Sequence, residues 1–101
     1  MQTIDDANFS AIISNGLSVV DFYAEWCRPC HLLADVLVKL EKQNPGAKFG
    51  KVNIDENSYT TQQFGINAVP TIILFKDGKV LKRFVGLQNE SVLNEAINAN
   101  I

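Results

Sequence analysis

Cys27 and Cys30 are the only thiols in the chain, set three residues apart in Trp-Cys-Arg-Pro-Cys-His, residues 26–31. This spacing can serve a reversible dithiol–disulfide couple, a covalent haem attachment, because CxxC is followed by His31, or a metal site in which His31 is a third ligand. A fourth reading is a redox-inactive interaction module in which the two thiols are merely neighbours. As a structural staple the pair is poor: loop entropy gives roughly 2 kcal/mol for a four-residue loop against about 3 for fifteen residues. Reversibility explains the spacing better.

The flanking elements must bring the two sulfurs together. The run Leu17-Ser-Val-Val-Asp-Phe-Tyr23 is apolar and of strand length, as expected for a strand buried on both faces of a parallel sheet. From about Arg28 to Gln43, Leu33, Val36, Leu37 and Leu40 recur at helical spacing, before Asn44-Pro45-Gly46 closes the segment. The cysteines therefore lie where strand gives way to helix, both within the first helical turn. There the unpaired N–H groups and partial positive charge favour thiolate over thiol at Cys27, which makes Cys27 the nucleophile. Pro29 suits the first turn, since its missing N–H costs no helical bond there. A guanidinium at Arg28, beside Cys27, also favours the thiolate. So would an imidazolium at His31, one turn on, although a solvated polar residue is its plainer role.

The rest of the chain reads as one unit, residues 1–101, with no internal repeat, linker or low-complexity tract. A short strand at residues 2–4 precedes a helix capped by Asp5 or Asp6, with Phe9, Ile12 and Ile13 inward, ending at Ser14-Asn15-Gly16. Residues 47–55 read as a strand and 57–64 as a short helix stopped by Gly65. Asp77-Gly78 between two strand-like runs signals a hairpin. A last helix at 90–99 offers Val92, Leu93, Ala96 and Ile97 on one face. The sum is an α/β fold, a mixed sheet with helices on both sides.

Composition narrows the function classes. With 47% hydrophobic and 20% charged residues, the 101-residue chain can bury a single core. A net charge of −2 without a dense Lys/Arg cluster argues against a nucleic-acid partner. No apolar run approaches the roughly 20 residues that span a bilayer, and the start lacks the basic and apolar regions of an export signal, so the expectation is a cytoplasmic protein without membrane contact. Haem would want a second axial ligand, yet His31 is the only His and Met1 the only Met. Zinc would find at most three of its usual four ligands.

Two further residues stand out. Asp21 interrupts the apolar run six positions before Cys27, so burial should raise its pKa, and a buried carboxylate there could take the proton of Cys30. Val69-Pro70 places a proline within an apolar segment, which is usually a strand start or an edge.

Taken together, "VVDFYAEWCRPC", "VNID", "VPTIILFKDG" and "FVG" resemble the thioredoxin family, in order and at its spacing, across essentially the whole chain. The resemblance implies a thioredoxin fold, a central mixed sheet of about five strands flanked by four helices. It implies reduction of protein disulfides through Cys27 and Cys30, with Asp21 and Lys51 managing the proton. It also implies a cis Pro70 packed against the Cys pair, a free Val69 backbone, and a docking surface of Trp26, Arg28, Pro29, Ala68, Val69, Pro70 and Gly86. With it come a monomer that needs no cofactor or metal, a thioredoxin reductase as electron donor and multiple disulfide-containing partners. Three positions depart from the family: Arg28 for its usual Gly, Asp35 for the proline that commonly kinks the long helix, and Ala68 in the small position before Pro70.

Overall fold

A computed structural model describes residues 1–101. In chain order the elements are β1 (Gln2–Thr3), α1 (Phe9–Ile13), β2 (Leu17–Tyr23), α2 (Arg28–Gln43), β3 (Lys48–Asn53), α3 (Ser58–Gln63), β4 (Thr71–Lys76), β5 (Lys79–Val85) and α4 (Glu90–Asn98). They form a five-stranded sheet in the order β1-β3-β2-β4-β5. β3 runs parallel to β1 and β2, whereas β4 is antiparallel to β2 and β5. The apolar run of β2 thus lies at the centre of a mixed sheet, which is why almost all of it is buried. No helix is long and apolar enough to cross a membrane.

Side-chain alternation in the central strands divides the core into two layers. Leu17 and Val19 of β2 and Ile72 and Leu74 of β4 pack with Leu33, Leu37 and Leu40 of α2 and Leu93 and Ile97 of α4. Val20 and Phe22, with Ile73 and Phe75, face α1 and α3 and close a cluster with Phe9, Ile13 and Phe64. Asp21, one residue on from Val20, falls by the same alternation on the α2 side, where Cys30 lies.

At the hairpin, Asp77 and Gly78 both adopt left-handed backbone conformations, with φ of 50° and 84°. Asp77 is held in place by its N–H donating to the Gly16 carbonyl and its carboxylate accepting from the Gly16 N–H, at 3.0 and 2.7 Å. Two expectations need correcting. Of the two candidate caps for α1, Asp5 closes the turn that leads into the helix: its carboxylate accepts from the Asn8 N–H and its own N–H donates to Asn8 Oδ1, both at 2.8 Å, while its carbonyl accepts from the Phe9 N–H at 3.1 Å. Asp6 does not; it reaches across the fold and accepts from the Thr60 N–H (2.9 Å), the Tyr59 N–H (3.3 Å) and the Thr60 hydroxyl (2.7 Å), capping α3. Val92 is exposed, because α4 turns only its Leu93–Ile97 stripe to the sheet.

Candidate redox site

β2 ends at Tyr23, and the chain turns through Ala24 to Cys27, whose N–H donates to the Ala24 carbonyl at 3.2 Å. Cys27 is the N-cap of α2 and not part of its first turn: its backbone is extended, at φ −92° and ψ 109°, and its sulfur accepts from the Cys30 N–H at 3.2 Å. The extended cap lets Cys27 swing toward Cys30, and the two form a disulfide with Cα atoms 5.3 Å apart. Arg28 and Pro29 are the first two helical residues, and Pro29, as expected, costs no backbone bond there. α2 continues unbroken past Asp35 to Gln43. Both cysteines are nearly enclosed, 5% and 2% exposed, with Ala24, Tyr23, Ile54 and Val69 packed around them.

On the inner side of the pair lies a cavity of about 200 Å³, bordered by Asp21, Cys30, Lys51, Tyr23, Glu25 and His31 among others. Asp21 is 2% exposed, and its Oδ1 has no hydrogen-bond partner. Burial pushes its carboxyl up to about 7, opposed by the attraction of Lys51, its register partner on β3. The two side chains form no direct ion pair, and the Lys51 ammonium lies 5.6 Å from the centre of the Tyr23 ring. Burial also raises the Tyr23 hydroxyl, reinforced by the negative charges of Glu25 and Glu56.

On the outer side, the Val69–Pro70 peptide is cis. Val69 packs on the cysteine cluster, and its backbone takes part in none of the bonds of the neighbouring turns. Thr71 donates its hydroxyl to the Ala68 carbonyl at 2.7 Å, and Gly86 donates its N–H to the Pro70 carbonyl at 2.8 Å. Gly86 has φ +86°, a conformation that a residue with a Cβ rarely adopts, so the glycine is what lets β5 end against Pro70. Trp26 is 70% exposed and not a core residue. Arg28 and Ala68 are exposed as well.

Sequence reasoning missed two partners. Asp55 accepts from Trp26 Nε1 at 2.9 Å and so fixes an otherwise free indole. The Glu25 carbonyl lies 2.7 Å from His31 Nε2, which turns the ring toward the Glu25 turn. Asp55 stood inside a quoted motif without a signal of its own, and nothing in the sequence marks a backbone carbonyl as a partner. No group of three or more His, Cys, Asp or Glu side chains is gathered to hold a metal, so His31, Cys27 and Cys30 do not form such a cluster.

Comparison with known proteins adds an independent line. The family model described as Thioredoxin matches residues 1–99. A thioredoxin of Chlamydia pneumoniae is 43% identical over 98 residues, covering 97% of this chain and 96% of its own length. One from Bacillus subtilis is 36% identical over 97 residues, covering 95% and 93%. Among solved structures, the thioredoxin of Plasmodium falciparum superposes with a TM-score of 0.91 at 35% identity and covers 98% of each chain. That of Fasciola hepatica gives 0.89 at 34% identity over the whole of both chains.

Proposed function

We propose a working cycle from one premise: the chain belongs to the thioredoxin family and is a thiol–disulfide oxidoreductase acting on proteins through Cys27 and Cys30. The Cys27 thiolate attacks one sulfur of a partner disulfide, forming a mixed disulfide and expelling the other sulfur as thiolate. Asp21 takes the proton of Cys30, whose thiolate attacks the Cys27 sulfur and releases the partner's second thiol. Two electrons pass to the partner, and the chain is left with the Cys27–Cys30 disulfide. Lys51 opposes the effect of burial on Asp21, keeping that carboxyl near neutrality, where it can both accept and return a proton. An extended segment of the partner pairs with the Val69 backbone by strand addition, over a face made by Trp26, Arg28, Pro29, Ala68 and Gly86, with Pro70 buried beneath it rather than on the surface as expected.

The observation that carries this reading is the disulfide closed at the start of α2 against the cavity of a buried carboxylic acid. The cycle is that of a single-domain monomer in the cytoplasm, serving many disulfide-containing partners and recharged by a thioredoxin reductase. Its test is catalytic reduction of an unfolded protein's disulfides, with a reductase and its reduced cofactor as electron source. Failure of that reductase to sustain turnover, while a small dithiol does, would remove the reductase from the cycle.

Reduced protein at neutral pH should be alkylated at least about tenfold faster at Cys27 than at Cys30, because the capped end of α2 favours the Cys27 thiolate. Peptide mapping after timed quenching reads both rates, and equal rates would reverse the roles.

Arg28 bears on the potential. Its charge favours the thiolate, which exists only in the reduced form, so Arg28→Gly should make the couple more reducing. An exposed charge supports a shift of only about 5 to 20 mV. Equilibration with a graded dithiol buffer should show that gap narrowing as salt is added. An unchanged potential at low salt would make Arg28 a bystander.

A further inference from the structure

The proton that Asp21 takes from Cys30 must leave again in every cycle, and Asp21 has almost no exposed surface of its own. It borders the cavity of about 200 Å³, a space that holds on the order of six waters at liquid density. The groups on the wall differ in what they can do with a proton. The Lys51 ammonium has donors and no acceptor. The Tyr23 hydroxyl, pushed up by burial and by Glu25 and Glu56, keeps its proton at neutral pH.

His31 is the exception. It lines the same cavity but is itself exposed, so it stands at the solvent end of the route. Its Nε2 lies 2.7 Å from the Glu25 carbonyl, which can only accept, so Nε2 carries the hydrogen. In the neutral ring the lone pair is then on Nδ1, which bonds to nothing else in the protein. Resting on the assignment of Asp21 and Cys30 given above, we propose that His31 is a proton-relay residue. After Asp21 accepts the Cys30 proton, that proton passes through cavity water to Nδ1 of His31 and then to solvent. The path runs backwards when the disulfide is recharged. One proton enters and one leaves, and only O–H and N–H bonds are exchanged.

The test uses the full reduced chain and an aromatic disulfide that releases a coloured thiolate. The first release reports attack by Cys27 and the second reports resolution by Cys30. His31→Gln can still donate to the Glu25 carbonyl but has no nitrogen that accepts a proton. Below about pH 7 Asp21 starts protonated and must pass that proton out before it can take the one on Cys30. In weakly buffered solution at about pH 6 the variant should therefore slow the second release by about threefold or more, without a matching loss in the first, and added imidazole should restore the rate. A second release at the parent rate would overturn the proposal. So would a slow release that imidazole leaves unchanged, which would make the ring a strut for the Glu25 turn. If the parent chain itself gave no second release, the Cys30 assignment would fall, and this inference with it.

Discussion

Serine in place of Cys30 should turn the protein from a catalyst into a trap. Cys27 can still attack, but the chain has no other thiol to break the mixed disulfide. Turnover without added small thiol should fall by about a thousandfold or more, since the two cysteines act as a unit. Covalent complexes with a disulfide-containing protein should accumulate, visible as a mass shift that a reductant removes. Cys27→Ser should lose as much turnover and form no complex. The Cys30 N–H bond to the Cys27 sulfur and the closed disulfide make this asymmetry a matter of position in α2, not of thiol chemistry alone. Complexes accumulating on Cys27→Ser, or turnover surviving in Cys30→Ser, would exchange or abolish the roles.

Asp21→Asn should stabilise the oxidised protein at alkaline pH and leave it nearly unchanged in acid. Burial raises the folded carboxyl to about 7 from an ordinary value of 3.8. Between those values the folded chain holds a proton that the unfolded chain has lost, so stability falls as pH rises through that window. At about 1.4 kcal/mol per unit, the loss is about 4 kcal/mol once pH exceeds 7. Urea unfolding of both proteins from about pH 4 to pH 9 should show their difference opening across that window and then levelling. A difference independent of pH would mean that Asp21 is ionised or solvated at all these values. The same variant should leave attack by Cys27 largely intact and slow resolution by Cys30. An acid that the chain would be more stable without is expected at a working site.

Much of the scaffold was legible because its signals are local. Leu33, Leu37 and Leu40 recur along one helical stripe, Asp77-Gly78 sits between two apolar runs, and the β2 run is too apolar for anything but the sheet centre. Spacing likewise marked the Cys pair, and a carboxylate in an apolar run marked Asp21. The parts that were not legible depend on distant partners. Asp6 looks like a cap for the helix that follows it, but its partners are Tyr59 and Thr60. Val92 lies beside Leu93 in sequence yet about 100° around the helix, beyond what one sheet face covers. Lys51, Val69 and Gly86 were reached only through family resemblance, because a cation, a backbone and a turn glycine have no chemistry of their own until the fold surrounds them.

The reach of Asp6 across the molecule has a consequence for local opening. α3 has only six residues, too few to persist alone, and its first N–H groups are satisfied from the segment between β1 and α1. That segment and α3 should therefore exchange their amide hydrogens as one cooperative unit, opening together well below the free energy of global unfolding. The loop from Gly65 to Pro70 follows α3 directly, so the backbone of Val69 is held on one side by β4 and on the other by this small unit. Amide exchange on a chain with Asp6→Ala should quicken at Tyr59 and Thr60 and carry into that loop, while the centre of α2 keeps its protection. The surface that meets an extended partner would then draw its compliance from a carboxylate on a remote part of the chain.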